Sequence, residues 1–243
     1  MIPKKIHLIR HAEAEHNVNY DNWSFPDALL TPNGERQCLA LNQRTRENIQ
    51  TTAKLLVSSP MRRTLQTSLR GLPELIERLG GKSSLVVLDS LQENGSTPAD
   101  TGSSRSILES FPEFEGIDFS SLDDQWNSKT GYWASDHDSL RRRAQCSLAW
   151  LANRKEDEIV VVSHGGALRY LTEDYKARYP WKNTEIRTYN LLNEISPSGA
   201  RLRLSLDPKT PPYPLNLNYS SKSSATVSNE NLSPAVQEFP IKI

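Results

Sequence analysis

Cysteine is scarce: Cys38 and Cys146 are the only two among 243 residues. Two thiols cannot frame a disulfide-stapled fold or a cysteine-rich zinc site. Net charge is lacking altogether, with 29 Lys+Arg set against 29 Asp+Glu, so the chain has none of the basic excess of a general nucleic-acid binder. Long apolar runs are missing too. None approaches the roughly 18 residues that mark a membrane-spanning helix, and the mean hydropathy is −0.60. Neither nucleic acid nor membrane is an expected partner. No apolar segment precedes the strand-like Ile6-His7-Leu8-Ile9, which argues against a secretory leader and for a cytoplasmic location. The five histidines do not fall at metal-ligand spacings, so no metal is expected. There is no internal repeat. The class left by these exclusions is a soluble globular protein, long enough to bury a sizeable core.

What is present is an alternation of strands and helices over the first two hundred residues, the pattern of an α/β domain with a mostly parallel sheet. Residues 4–10 read as a short apolar strand. Thr31 caps a helix with Pro32 at its first position, and Gly34, Cys38, Leu41, Thr45 and Ile49 make its buried stripe. Residues 55–57 and 85–88 read as further strands, and a helix starts near Met61. Pro73 should restart or kink that helix, because proline removes a donor and clashes with the preceding turn. Leu140, Ala144, Leu148 and Leu151 put one apolar face on a helix over 138–152. Residues 159–162 are a continuous β-branched run, hence a buried central strand. Weaker strands are expected over 185–192 and 200–206.

Residues 92–136 are polar, with Phe111, Phe114, Trp126, Tyr132 and Trp133 embedded in them. A structureless loop of that length is out of place in a compact domain, so short helices forming a cap over a site are expected, with Trp126, Tyr132 and Trp133 as cap core rather than a substrate platform. Beyond about 206 the composition changes: the last 37 residues hold six of the 15 prolines. That stretch, 207–243, reads as an extended or disordered tail.

Two histidines share one context. His11 follows the strand ending at Arg10, and His164 follows the strand ending at Ser163. In a parallel sheet the carboxyl ends of strands lie on one edge, where ligands bind, so these distant residues can meet there.

Four blocks in order, Leu8-Ile9-Arg10-His11-Ala12-Glu13 with Asn17, Leu30-Thr31-Pro32-Asn33-Gly34-Glu35-Arg36-Gln37, Ser58-Ser59-Pro60-Met61-Arg62-Arg63-Thr64-Leu65-Gln66-Thr67 and Val161-Val162-Ser163-His164-Gly165-Gly166, resemble the signature of the histidine phosphatase (phosphoglycerate mutase-like) superfamily. The resemblance implies a three-layer α/β/α sandwich over 1–206, with a mostly parallel sheet and a small helical cap insertion. It implies His11 as the nucleophile, His164 as its catalytic partner, and Arg10, Asn17, Arg63 and Gly165 as the phosphate cradle. The chemistry agrees: phosphoryl transfer depends on placing donors and positive charge around the phosphoryl oxygens, and arginine's planar fork suits them.

The leaving alkoxide also needs a proton. No aspartate follows His164, so the acid-phosphatase branch does not fit. Glu93, after the third strand, stands where the mutase-like branch keeps its acid, with Asp100 as the next candidate. Glu13 orients Arg10 or His11, or is simply solvated. Arg62 reads as a rim residue, Arg141-Arg142-Arg143 as a solvated helix face, and His7 as a satisfied strand histidine. His16 and His137 have no derivable role. The segment after Glu93 is closer to the fungal and plant-like phosphatase group than to glycolytic mutases, so mutase activity is not expected.

The expected function is hydrolysis of a small phosphate monoester through a phosphohistidine on His11, with no cofactor or metal and a small anionic substrate as partner. Two alternatives stay open. One is non-phosphate chemistry on an anionic carboxylate in the same cationic pocket. The other is a scaffold subunit of a larger complex. Substrate identity and oligomeric state are not legible.

Overall fold

The computed structural model describes residues 4–196 and 199–210. Most of the segment expected as a tail, 211–243, lies outside them. Six strands form one sheet: β1 (Lys4–Arg10), β2 (Leu55–Ser58), β3 (Leu85–Val87), β4 (Glu158–Ser163), β5 (Ile186–Ser196) and β6 (Gly199–Leu206). Their order is β3-β2-β4-β1-β5-β6. The first four run parallel, and β5 and β6 add an antiparallel edge. The chain is thus an α/β protein with a mixed, mostly parallel sheet. In order, the helices are α1 (Glu15–Val18), α2 (Pro32–Thr45), α3 (Ile49–Thr52), α4 (Arg62–Gly71), α5 (Pro73–Leu79), α6 (Arg105–Ser110), α7 (His137–Asn153) and α8 (Gly165–Leu171).

Strand alternation sorts the core into two sets. Leu56, Val160 and Val162 point to one face, packed by Leu41 of α2, Leu65 of α4 and Leu75 of α5. Ile6, Leu8, Val57, Ile159 and Val161 point to the other, packed by Leu148 of α7 and Leu168 of α8. Helices therefore cover both faces, which lets β4 be apolar along its whole length. Thr31 caps α2 as expected, its Oγ1 accepting from the Gly34 amide at 3.0 Å. Pro73 starts α5 directly after α4 ends. Residues 92–136 hold α6 and several 3-10 turns, and Phe114, Trp126 and Trp133 are buried against the first core set.

Two expectations need correcting. Arg143 is not on a solvated face: it is buried, and its Nη2 donates to Asn94 Oδ1 at 3.3 Å. Arg141 and Arg142 are exposed. Glu13 neither orients a catalytic group nor stands in solvent, because its carboxylate accepts from Thr31 Oγ1 at 2.7 Å and Asn33 Nδ2 at 3.0 Å. It fastens the first turn of α2 to the end of β1. His7 is satisfied, between Thr188 Oγ1 and the Glu158 carboxylate. Among the described residues no helix is long and apolar enough to cross a membrane.

Candidate active site

The register of the sheet builds the site. Arg10 pairs with Ser163 across β1 and β4, so the residues that follow leave the same edge side by side. The rings of His11 and His164 lie 5.2 Å apart, centroid to centroid. Both are buried.

Each ring has a fixed tautomer. His11 Nδ1 is 2.7 Å from the Ala12 carbonyl, which only accepts, so Nδ1 carries the proton and Nε2 keeps its lone pair. Burial, with Arg63 and Arg10 beside it, holds its pKa well below the usual histidine value. His164 is the opposite tautomer. Its Nδ1 is 3.2 Å from Arg63 Nε, which only donates, so Nε2 holds the proton and donates to Ser59 Oγ at 2.8 Å. Burial and Arg63 likewise push its pKa well down.

Arg63 is fully buried in the first turn of α4. Besides His164 it donates through Nη1 to the Ala99 carbonyl at 2.6 Å, and Nη2 lies 3.4 Å from Asp100 Oδ1. Arg10 Nη1 donates to the Trp181 carbonyl at 2.6 Å, while its Nε is buried without a partner among the described residues. Asn17 is in α1. Its Oδ1 accepts from the Ala14 amide and from Asn183 Nδ2, which leaves Nδ2 to donate to His16 Nε2 at 3.0 Å.

Glu93 is held by three backbone amides. Its Oε1 accepts from Asn94 at 2.8 Å and Ala167 at 3.1 Å, and its Oε2 from Gly166 at 3.2 Å. The last two belong to the first turn of α8, directly after His164. A Cβ at position 166 would overlap Glu93 Oε1, so glycine is what lets the carboxylate reach those amides; a Cβ at Gly165 would meet only Arg10 Nε at 3.5 Å. Asp100 stands on the same wall. Burial and the Glu93 charge raise its pKa, against the pull of Arg63.

Arg10, Asn17, Glu93 and Gly165 line one open cavity of about 430 Å³, together with His16, Trp23, Asp100, Arg169 and Trp181. His11, Arg63 and His164 are packed at its inner side, through the Arg63–Asp100, His11–His16 and His11–His164 contacts. Every sequence-selected site residue thus falls in one neighbourhood.

Sequence reasoning missed five contributors. His16 is buried 5.7 Å from the His11 ring, and it was visible in the sequence only as a neighbour of the motif. Ser59 Oγ accepts a hydrogen bond from His164 Nε2, and Thr67 Oγ1 accepts from the Ala12 amide at 3.0 Å. Asn183 and Thr184 close over the His11 carbonyl, through Nδ2 at 3.0 Å and the backbone amide at 3.4 Å. Thr184 does so at φ 55°, a left-handed backbone that β-branched residues avoid. Nothing in the local sequence signals that strain.

The model of the histidine phosphatase superfamily, branch 1, matches residues 6–201. The chain belongs to this superfamily. A phosphoglycerate mutase-like protein 1 from Arabidopsis thaliana is 30% identical over 200 residues, covering 68% of this chain and 69% of its own. A Schizosaccharomyces pombe protein named "probable phosphatase" is 28% identical over 171 residues, covering 69% and 77%. Among solved structures, the mycobacterial glucosyl-3-phosphoglycerate phosphatase superposes with a TM-score of 0.50 at 18% identity, covering 84% of this chain and 98% of its own. Mycobacterial hydrolase 2 gives 0.51 at 17%, covering 84% and 90%. At those identities the likeness of this superfamily member to the structures is one of fold.

Proposed function

We propose that the protein hydrolyses a small phosphate monoester through a phosphohistidine on His11, without a metal ion. The observation that carries this reading is the bond from His11 Nδ1 to the Ala12 carbonyl. It leaves a neutral, buried Nε2 lone pair beside two arginines and a second imidazole, which is what an in-line attack on a phosphoryl group requires.

In the first half-reaction Nε2 bonds to phosphorus while the ester P–O bond breaks. Arg10, Arg63 and His164 face the developing charge, with Asn17 and Gly165 completing the cradle. Glu93 gives its proton to the leaving alkoxide. In the second half-reaction Glu93 takes a proton from water, whose oxygen attacks phosphorus and releases His11. Two arginines supply the positive charge that a metal would otherwise bring, and release to water rather than to a second hydroxyl makes the outcome hydrolysis instead of mutase transfer.

Intact-mass analysis after a rapid acid-free quench tests the reading. The expected result is one added phosphate on the wild type and none on His11→Ala, with turnover undiminished by exhaustive chelation. Turnover by His11→Ala overturns it.

A further inference from the structure

Glu93 is carried by a segment without regular structure, between the 3-10 turns at Asp89–Leu91 and Pro98–Asp100. Two cations hold this segment, one on each side of Glu93. Lys129 Nζ reaches in from the cap and donates to Gln92 Oε1 at 2.7 Å and to the Glu93 carbonyl at 2.8 Å. Arg143 of α7 donates through Nη2 to Asn94 Oδ1 at 3.3 Å, and the Asn94 amide is the one that meets Glu93 Oε1 at 2.8 Å.

Arg143 is only 2% exposed, yet it forms no ion pair among the described residues, and its Nε and Nη1 are buried without a partner among them. Withdrawing a guanidinium from water is costly unless a neighbouring charge offsets it. Burial lowers its pKa, and the charge that opposes this most strongly is the Glu93 carboxylate. The same helix grips the loop a second time. Ser147 Oγ, one turn beyond Arg143, donates to the Arg143 carbonyl at 3.1 Å and lies 2.7 Å from Ser90 Oγ. Thus α7 meets the segment three residues before Glu93 and one residue after it, and only the later contact carries charge. Arg143 stands behind the wall of the 430 Å³ cavity, not on it.

We propose that Arg143 is a positioning residue for Glu93: by gripping Asn94 it holds the amide that fixes one carboxylate oxygen, and it touches neither the substrate nor the reacting atoms. This rests on Glu93 being the acid of the proposed function. A proton donor works only while it is aimed at the leaving oxygen, so loosening Asn94 weakens proton donation and leaves the phosphoryl cradle intact.

Two substrates of similar size separate these effects. 4-Nitrobenzyl phosphate leaves as an alkoxide that needs a proton, whereas 4-nitrophenyl phosphate leaves as a stable phenolate. For each variant the readout is the ratio of kcat/KM on the first to kcat/KM on the second, which partial loss of folded protein does not alter. Arg143→Met should lower that ratio about tenfold, a fraction of what an acid contributes, and Arg143→Lys should restore part of it. Asn94→Ala cuts the same contact from the other side and should lower the ratio similarly, which keeps the test decisive if Arg143→Met does not fold. In a Glu93→Gln background, adding Arg143→Met should change the ratio by less than about twofold, because both substitutions remove one function. A ratio lowered by Glu93→Gln but untouched by Arg143→Met and Asn94→Ala overturns the role of Arg143 alone, as does a full further drop in the double variant. A ratio that Glu93→Gln itself leaves unchanged overturns the acid role of Glu93 and this inference with it.

Discussion

Arg63 Nε donates to His164 Nδ1 across 3.2 Å, so two groups that face the proposed phosphoryl site are bonded to each other. An incoming dianion must part them, and His164 Nδ1 can turn toward the anion only as a donor. Proton uptake therefore accompanies anion binding, carried by His164, which is neutral because burial and Arg63 depress it. Sulfate isolates the effect, since it does not titrate near neutrality. Its affinity should strengthen as pH falls from 8 to 6, and calorimetry in buffers of different ionisation enthalpy should give net uptake at pH 7. An affinity flat across that range contradicts the tautomers assigned to this pair.

Adjacent glycines should respond unequally to a single methyl. Gly166→Ala displaces Glu93 from its amides, whereas a methyl at 165 makes an ordinary contact with Arg10. With the proposed acid dislodged, kcat on an alkyl phosphate should fall by about 10² or more in Gly166→Ala, the usual scale of general acid catalysis. Gly165→Ala should stay within about tenfold of wild type. Steady-state kinetics on both variants checks the order, and the reverse order would remove Glu93 from its assigned role.

His16 should make the fold acid-sensitive. Its pKa is lowered from 6.5 to about 3, chiefly by burial and then by Arg63 and Arg10. Below 6.5 the unfolded chain takes up a proton that the folded chain refuses, so stability is complete above that pH and declines as pH falls toward 3. At pH 5 this one ring costs about 2 kcal/mol. The Tm of the wild type should drop more steeply between pH 7 and 5 than that of His16→Gln. Parallel curves would mean the ring is not buried neutral.

The Arg63–Asp100 pair lies almost wholly out of water. Arg63→Met leaves Asp100 uncompensated and should destabilise by about 3 kcal/mol, as removal of one partner of a buried pair does. Adding Asp100→Asn should recover much of that loss. Denaturant titration of the two single variants and the double variant gives the coupling directly; strictly additive losses would show that the pair is not coupled.

The backbone of the site was legible because it follows from strand ends. The β-branched run before His164 marks a central strand, and the apolar run before His11 marks its neighbour. Side chains whose surroundings come from distant segments were not legible. Glu13 holds the Thr31 and Asn33 side chains because the chain doubles back, with Ala14 bridging Leu30, and no local pattern encodes that return. Arg143 belongs to a second stripe of α7, with Ser139 and Ser147 at spacings of four, all three buried. Serines flanking an arginine look like a solvent face, yet Ser147 meets Ser90 at 2.7 Å beneath the loop that carries Glu93. Polarity in the sequence cannot distinguish water from a polar partner.

The pairing of Arg10 with Ser163 also bears on how the protein assembles. His11 and His164 are far apart in the chain, and they meet only when β1 and β4 zip together. Pairings between such distant segments form slowly, because the intervening chain must be ordered before the contact repays it. A refolding chain in which this rung has not formed cannot bring the two rings together. Recovery of anion binding during refolding should therefore lag behind recovery of helical signal, timing this long-range closure of the sheet.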